Sequence, residues 1–406
     1  FKSDKFSDVG IKLVRGINVK EGELNWNDTK FWKSITPDLN KYLLTSGDIL
    51  IQMDGSKVGK NFCVISESDL PLLLVQRVAR LRVKKQLNVR FLFYNISSSH
   101  FFNWVTIVKT DPLVPHISLK NIEDFVIAIP NINEQNQIAN YLDSKTQAIN
   151  KKINLLIQKA NYYKEYRKSL INQTVCKGLD KSSDNQETEL VFKVNSNFKK
   201  FRLKDLGYLY SGLSGKAGED FNQDENPNNK GFIPFTNIAN NTYLKKDHLG
   251  TVVVYDNENQ NKVQKGDIFF LMSSEGYEDI GKSAILDDNL NETYLNSFCK
   301  GYRVTNKKAN PYFLNYLLLS DNYRKLLTIE GKGFTRINLK MEKVNDFIVF
   351  IPNTIDEQNK IVSFLDNKTQ TIDKIISNIN TQIQTLKELR KTLINDAVTG
   401  KIKVTA

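Results

Sequence analysis

The sequence predicts an α+β protein: two β-rich domains separated by two long antiparallel coiled-coil helices, related by a pseudo-two-fold axis. Three observations predict it. A stretch from Glu134 to about Leu179 recurs without a gap from Glu357 to about Ile402, so that EQNQIANYLDSKTQAINKKI answers EQNKIVSFLDNKTQTIDKII and KEYRKSLINQTV answers KELRKTLINDAV. Both copies carry a one-sided apolar stripe at helical period. The segments ahead of the two copies are short β-rich runs with Gly-containing turns that also correspond. Equivalent residues such as Glu134 and Glu357, or Arg167 and Arg390, are 223 positions apart, a period that marks a duplicated module rather than a solenoid unit.

In chain order, residues 1–128 form the first β-rich domain. Gly47-Asp48-Ile49-Leu50-Ile51 leads into a polar loop, Asp54-Gly-Ser-Lys57-Val-Gly-Lys60-Asn61, and a helix is expected near 90–103. Residues 129–180 form the first long helix. It starts after Pro130-Asn131 and stops at Lys177-Gly178, with Ile138, Leu142, Ile149, Ile153 and Leu156 in its stripe. Residues 181–194 (KSSDNQETEL and its flank) read as an exposed linker. Residues 195–350 repeat the β-rich domain, with Gly266-Asp267-Ile268-Phe269-Phe270 matching the earlier Gly-Asp strand and a helix expected near 311–327. Residues 351–406 hold the second long helix, with Ile361, Leu365, Ile372, Ile376 and Ile379 in its stripe. Two such stripes in one chain are expected to pack on each other, and an antiparallel arrangement would hold the β-rich domains apart. GIKLVRGINV (10–19) aligns with GFIPFTNIAN (231–240), which leaves residues 198–225 without a counterpart. With Phe rather than Met in first place, this leads to the expectation that the first domain lacks an N-terminal piece.

Composition excludes several classes. No stretch approaches the roughly 18 apolar residues of a membrane span. Three cysteines form no CxxC pair and fit a reduced, cytoplasmic protein. Three histidines, none beside a Cys or His at ligand spacing, leave no expected metal site. Catalytic motifs are incomplete. Gly212-Leu-Ser-Gly215-Lys216 lacks P-loop spacing, and Asn310-Pro311-Tyr312 lacks the second proline of the adenine-methyltransferase motif and a companion methyl-donor loop. Asp321 with Glu330-Gly331-Lys332 is a chance-level nuclease pattern, and Ser320-Asp321-Asn322 stands without its penicillin-binding companions. The chain reads as non-catalytic, with no cofactor of its own.

Binding signals are stronger. The net charge of +12 is spread over both halves, as suits a nucleic-acid partner. Polar loops on a rigid scaffold supply candidate DNA contacts: Arg15, Asn18, Lys57, Lys60 and Asn61 in the first domain, and Asn237, Ser273, Ser274, Tyr277, Lys282, Lys332 and Arg336 in the second. Arg77, Arg80 and Arg82 are expected to share one strand face, with Arg303 at the matching place in the second half. Different loop chemistry on one duplicated scaffold suggests two different targets.

These repeats resemble those of the specificity subunits of type I restriction-modification systems. The resemblance rests on the Ile-Pro…Glu-Gln-x-x-Ile entries (Ile129 to Ile138, Ile351 to Ile361), the Lys-x-x-Arg-Lys-x-Leu-Ile stretches and the closing Thr399-Gly400-Lys401. It implies two target-recognition domains that read an asymmetric bipartite site on double-stranded DNA, with the helices setting the spacer. It further implies two methyltransferase subunits, which bring S-adenosylmethionine, and restriction subunits, which bring ATP and Mg. Two other readings compete: a non-enzymatic coiled-coil scaffold binding proteins or glycans, and the recognition portion of a fused restriction-methyltransferase.

Overall fold

The computed structural model describes residues 1–110, 113–180, 182–223 and 225–404. It resolves into two compact units: Phe1–Gln158 with Ile379–Ala406, and Lys159–Asn378. Each unit therefore contains one β-rich domain, the start of one long helix and the end of the other.

In both domains the strand after the Gly-Asp turn is buried on two sides. This is why it reads as a continuous apolar run rather than an alternation. In the first unit Ile49–Gln52 lies between Phe62–Val64 and Val78–Leu81, all antiparallel. Ile49 and Ile51 enter the core shared with the helices, while Leu50 points to a second core with Val14, Val19 and Leu72. The second unit repeats the device: Ile268 and Phe270 face the helical core, and Phe269 and Leu271 face the opposite one. Its sheet has the order Gly207–Ser211, Cys299–Val304, Ile268–Leu271, Ser283–Ile285. A second sheet in each unit contains a parallel pair, Ile11–Val14 with Leu72–Leu74 and Asn229–Ile233 with Thr293–Leu295.

These parallel pairs correct the sequence alignment. Val14 pairs with Leu74 as Ile233 pairs with Leu295, so the opening strands correspond at a separation of 219 residues, as the Gly-Asp turns do. The match of 10–19 to 231–240 was thus two residues out of register, and it is Asn18 and Asn237 that occupy equivalent places. Residues 198–219, which precede the stretch aligned at this separation, contribute Lys199–Arg202, paired with Ile348–Ile351, and Gly207–Ser211, paired with Cys299–Val304.

Each expected domain helix is in fact two. Val89–Ile96 breaks from Ser99–Val108 at Ser98, whose hydroxyl donates to the Asn95 carbonyl and accepts from the Phe101 amide. Pro311–Leu319 breaks from Asp321–Glu330 at Ser320, whose hydroxyl donates to the Leu317 carbonyl. Serine favours such local bonds over helix continuation. The first helix of each pair starts at an asparagine cap, Asn88 or Asn310.

The long helices run Ile132–Lys177 and Ile355–Val398, close to the boundaries read from the sequence. Asn131 and Thr354 accept from the Glu134 and Glu357 amides at their starts. Gly178 (φ 76°) and Gly400 (φ 73°) supply the left-handed residue after their ends. In the first unit, Ile138 and Leu142 share a core with Ile394, Ala397 and Val398. In the second, Ile361 and Leu365 share one with Ile171, Val175 and Cys176. Within each unit the start of one helix thus meets the end of the other, which is the antiparallel relation. Farther along the stripes, Ile153, Ile372 and Ile379 are buried and Ile149, Leu156 and Ile376 half-buried. Leu365→Ala, at a fully buried site, is expected to cost about 2.7–5 kcal/mol in urea unfolding; a loss below about 1 kcal/mol would contradict this packing.

The segment expected to be an exposed linker is more ordered than its polar composition implied. Asn185–Glu187 pairs with Lys193–Asn195 as a hairpin. Phe192 lies edge-on to Tyr323, with ring centroids 5.2 Å apart, and packs on the second unit's core. Val194, fully buried, and Leu190 join it in that core. Lys181 lies outside the described residues.

Candidate nucleic-acid interface

The Gly-Asp turn sets the geometry of both domains. The Asp48 and Asp267 side chains are 0% and 1% exposed. A buried carboxylate is tolerated only when paired and hydrogen-bonded, and here an arginine from a neighbouring strand provides both. Arg82 grips Asp48 through two bonds of 2.7 Å, and Arg303 grips Asp267 at 2.8 and 2.7 Å. The Thr45 and Gln264 amides donate to the same carboxylates. In the second domain the Tyr210 hydroxyl adds a 2.6 Å bond to Asp267. Hydrogen bonding to the carboxylate raises the pKa of Arg82 and Arg303, and burial raises that of the Tyr210 hydroxyl. Arg82 and Arg303 therefore hold the turn closed, with part of each guanidinium committed to the aspartate.

The structure draws other candidates into the scaffold in the same way. Asn18 is 1% exposed and donates to the Asn25 and Asp28 carbonyls. Its equivalent Asn237 is also 1% exposed and donates to the Lys245 and His248 carbonyls. Each cinches a surface loop from inside. Asn61 is buried and donates to Gln52 Oε1. Arg80 caps the Lys41 and Leu43 carbonyls, Arg15 pairs with Asp28, and Lys282 pairs with Asp279 at 2.6 Å. Arg77 does not share a face with Arg80 and Arg82. Side chains alternate along a strand, so position 77 is out of phase with 80 and 82. Arg77 also precedes the strand, in a left-handed conformation (φ 69°) beside Asp54. Ser274 is buried and accepts from the Gly276 amide, while Ser273 lies in the short strand Ser273–Ser274.

Arg77 and Arg82 stay exposed while paired with Asp54 and Asp48, and Lys57 and Lys60 in the first unit and Tyr277, Lys332 and Arg336 in the second are exposed as well. The Lys60 ammonium sits 4.8 Å from the Phe102 ring, and the Arg336 guanidinium 4.9 Å from that of Phe298. Cations held over aromatic rings keep their charge toward solvent, where a phosphate can reach it. Arg336 and Lys332 belong to a hairpin anchored by the paired Lys332 and Asn338 backbones. Sequence reasoning missed the aromatic residues of that surface, Phe298 and Phe334; Gly331 and Gly333 just ahead of Phe334 were the available signal.

The repeated Glu-Gln motif also acquires a reason. Gln135 and Gln358, at 1% and 0% exposure, each make three bonds that seat a long helix against its domain. Gln135 donates to the Gln86 and Pro130 carbonyls and accepts from the Asn88 amide. Gln358 donates to the Lys308 and Pro352 carbonyls and accepts from the Asn310 amide. The neighbouring pairs Asn88–Asn136 and Asn310–Asn359 repeat too. A polar residue at this place on a helix reads as solvent-facing, but both copies are buried clamps.

The family described as "Type I restriction modification DNA specificity domain" matches residues 1–159 and 195–385, one block over each β-rich domain and its following helix. The chain belongs to this family. Among relatives of the specificity family, the type I restriction enzyme EcoAI specificity subunit of Escherichia coli is 34% identical over 155 residues, 37% of this chain and 26% of that protein. The MjaVIII specificity subunit of Methanocaldococcus jannaschii is 30% identical over 153 residues, 36% of this chain and 35% of the relative. The matched stretches thus span well under half of those relatives. A chain from a solved type I restriction-modification system shares the fold over 97% of this chain and 92% of its own length, at TM-score 0.74 and 14% identity. The HsdS subunit from Thermoanaerobacter tengcongensis matches over 98% and 94%, at TM-score 0.56 and 13% identity. Among the described residues, no helix is long and apolar enough to cross a membrane.

Proposed function

We propose that this chain is the non-catalytic specificity subunit of a type I restriction-modification complex, reading an asymmetric bipartite target on double-stranded DNA in the cytoplasm. One observation carries the reading. The two domains keep the same buried frame (Asp48–Arg82 and Asp267–Arg303, Asn18 and Asn237, Gln135 and Gln358) but expose different side chains around it. A frame retained under unlike surfaces suits two modules that read two different half-sites. A symmetric homodimer, by contrast, reads a palindrome. The exposed cations would fix each module on the phosphates, and exposed polar and aromatic groups would read the grooves. The helices joining the domains would set the unspecified spacer. Two methyltransferase subunits would supply S-adenosylmethionine and flip the adenines, and restriction subunits would supply ATP and Mg chemistry.

Co-expression with the methyltransferase subunit, followed by mapping of methylated adenines, tests this. The expected motif is bipartite and asymmetric with a fixed gap. Inserting one helical turn into both long helices, between the two units, should change the gap and leave the half-sites intact. A continuous methylated motif, or no motif, would overturn the reading.

A further inference from the structure

Phe334 sits at the tip of the hairpin closed by Lys332 and Asn338 and is fully exposed, at 101% relative accessibility. The hairpin base is fixed. Both backbone bonds between Lys332 and Asn338 are made, at 2.9 and 2.8 Å, Ile337 and Leu339 are buried, and Ser273–Ser274 pairs with Ile337–Asn338. The loop conformation requires Gly333 (φ 152°), because a Cβ there would fall 1.9 Å from the Arg336 carbonyl oxygen. A rigid loop thus presents an aromatic ring that gains no packing from folding. Lys332 and Arg336 lie two residues to either side of it, and the Arg336 guanidinium is steadied over Phe298. In the first unit Thr110 and His116 exchange two backbone bonds of 2.9 and 3.1 Å, and Leu113 and Val114 between them are 91% and 57% exposed.

We propose that Phe334 is a specificity-determining wedge. It inserts at a base step of the half-site that its domain reads and partly unstacks that step, while Lys332 and Arg336 hold the phosphates on either side. An apolar side chain between cations matches the chemistry of a base step between phosphates, and proteins that deform DNA use such wedges. The sequence dependence then comes from how readily the step unstacks, so that a base pair is selected without a hydrogen bond to it. This proposal rests on the DNA-reading function above.

The test uses the complex of the full chain with its methyltransferase subunits, on target duplexes carrying 2-aminopurine at successive positions. The expected result is a several-fold fluorescence rise at one step with the wild type, falling to the free-duplex level with Phe334→Ala. The same variant should weaken target binding by about tenfold or more, leave affinity for unrelated duplex within about twofold, and be rescued by Phe334→Trp. Because the ring touches nothing in the fold, circular dichroism and assembly should not change. Target affinity and unstacking that survive Phe334→Ala would overturn the wedge. So would loss of methyltransferase assembly without DNA, which would make Phe334 a protein contact. A wild-type complex that binds no target duplex would instead overturn the DNA-reading function, a different result.

Discussion

Asp267→Ala is expected to lower the unfolding free energy of the second unit by about 3–5 kcal/mol, because it removes one partner of a buried pair and strands the other. Arg303 is 23% exposed and would lose its two bonds to the carboxylate, and the Tyr210 hydroxyl and Gln264 amide would lose their acceptor. Asp48→Ala should cost less, although its carboxylate is equally buried. The side chain of Arg82 is 51% exposed and can turn to water, whereas Asp267 holds the Tyr210 hydroxyl in addition to its arginine and backbone amide. Urea unfolding of the two variants side by side checks both the size and the order. A loss under about 1 kcal/mol for Asp267→Ala would mean that the pair does not hold the turn.

The Gln358→Glu variant is expected to be as damaging, despite being nearly isosteric. Gln358 Nε2 donates at 2.8 and 3.0 Å to the Lys308 and Pro352 carbonyls, at a residue with no exposure. A carboxylate would turn an oxygen toward the Lys308 and Pro352 carbonyl oxygens and bury a charge in place of a donor. Unsatisfied buried charges cost several kcal/mol, more than a neutral group left unpaired. The measurable result is early unfolding or detachment of the second helix's start, seen as lost amide-exchange protection around Ile361 and Leu365. Gln135→Glu should do the same around Ile138 and Leu142. Protection equal to wild type would show that the glutamine is not a clamp.

Both predictions depend on residues whose roles the sequence disguised. Arg82 and Arg303 read as DNA contacts because arginine beside a polar loop fits a phosphate, yet each is paired with an aspartate more than thirty positions away. Asn18 and Asn237 read as DNA contacts, yet each spends its amide on carbonyls of its own loop. Local composition shows that a side chain can donate or accept; which group it meets depends on how distant segments come together. The same limit produced the two-residue slip between the opening strands, which only the parallel pairings corrected. Phe334 was passed over for the opposite reason: an aromatic side chain alone does not say whether it is core or tip, and only Gly331 and Gly333 ahead of it pointed to a loop.

By itself, the sequence determined the duplication, the two long helices with their ends, and the doubly buried strands after the Gly-Asp turns. These are periodic or local signals, and helix geometry, proline and glycine chemistry and two-sided burial translate them directly into structure. Only the tertiary structure decided which polar residues are scaffold and which are surface. It also showed that each unit is built from the start of one helix and the end of the other. The reason is physical: burying a polar group demands a partner, and in this fold the partners lie tens or hundreds of residues away, as Ser99 and Asn395 do.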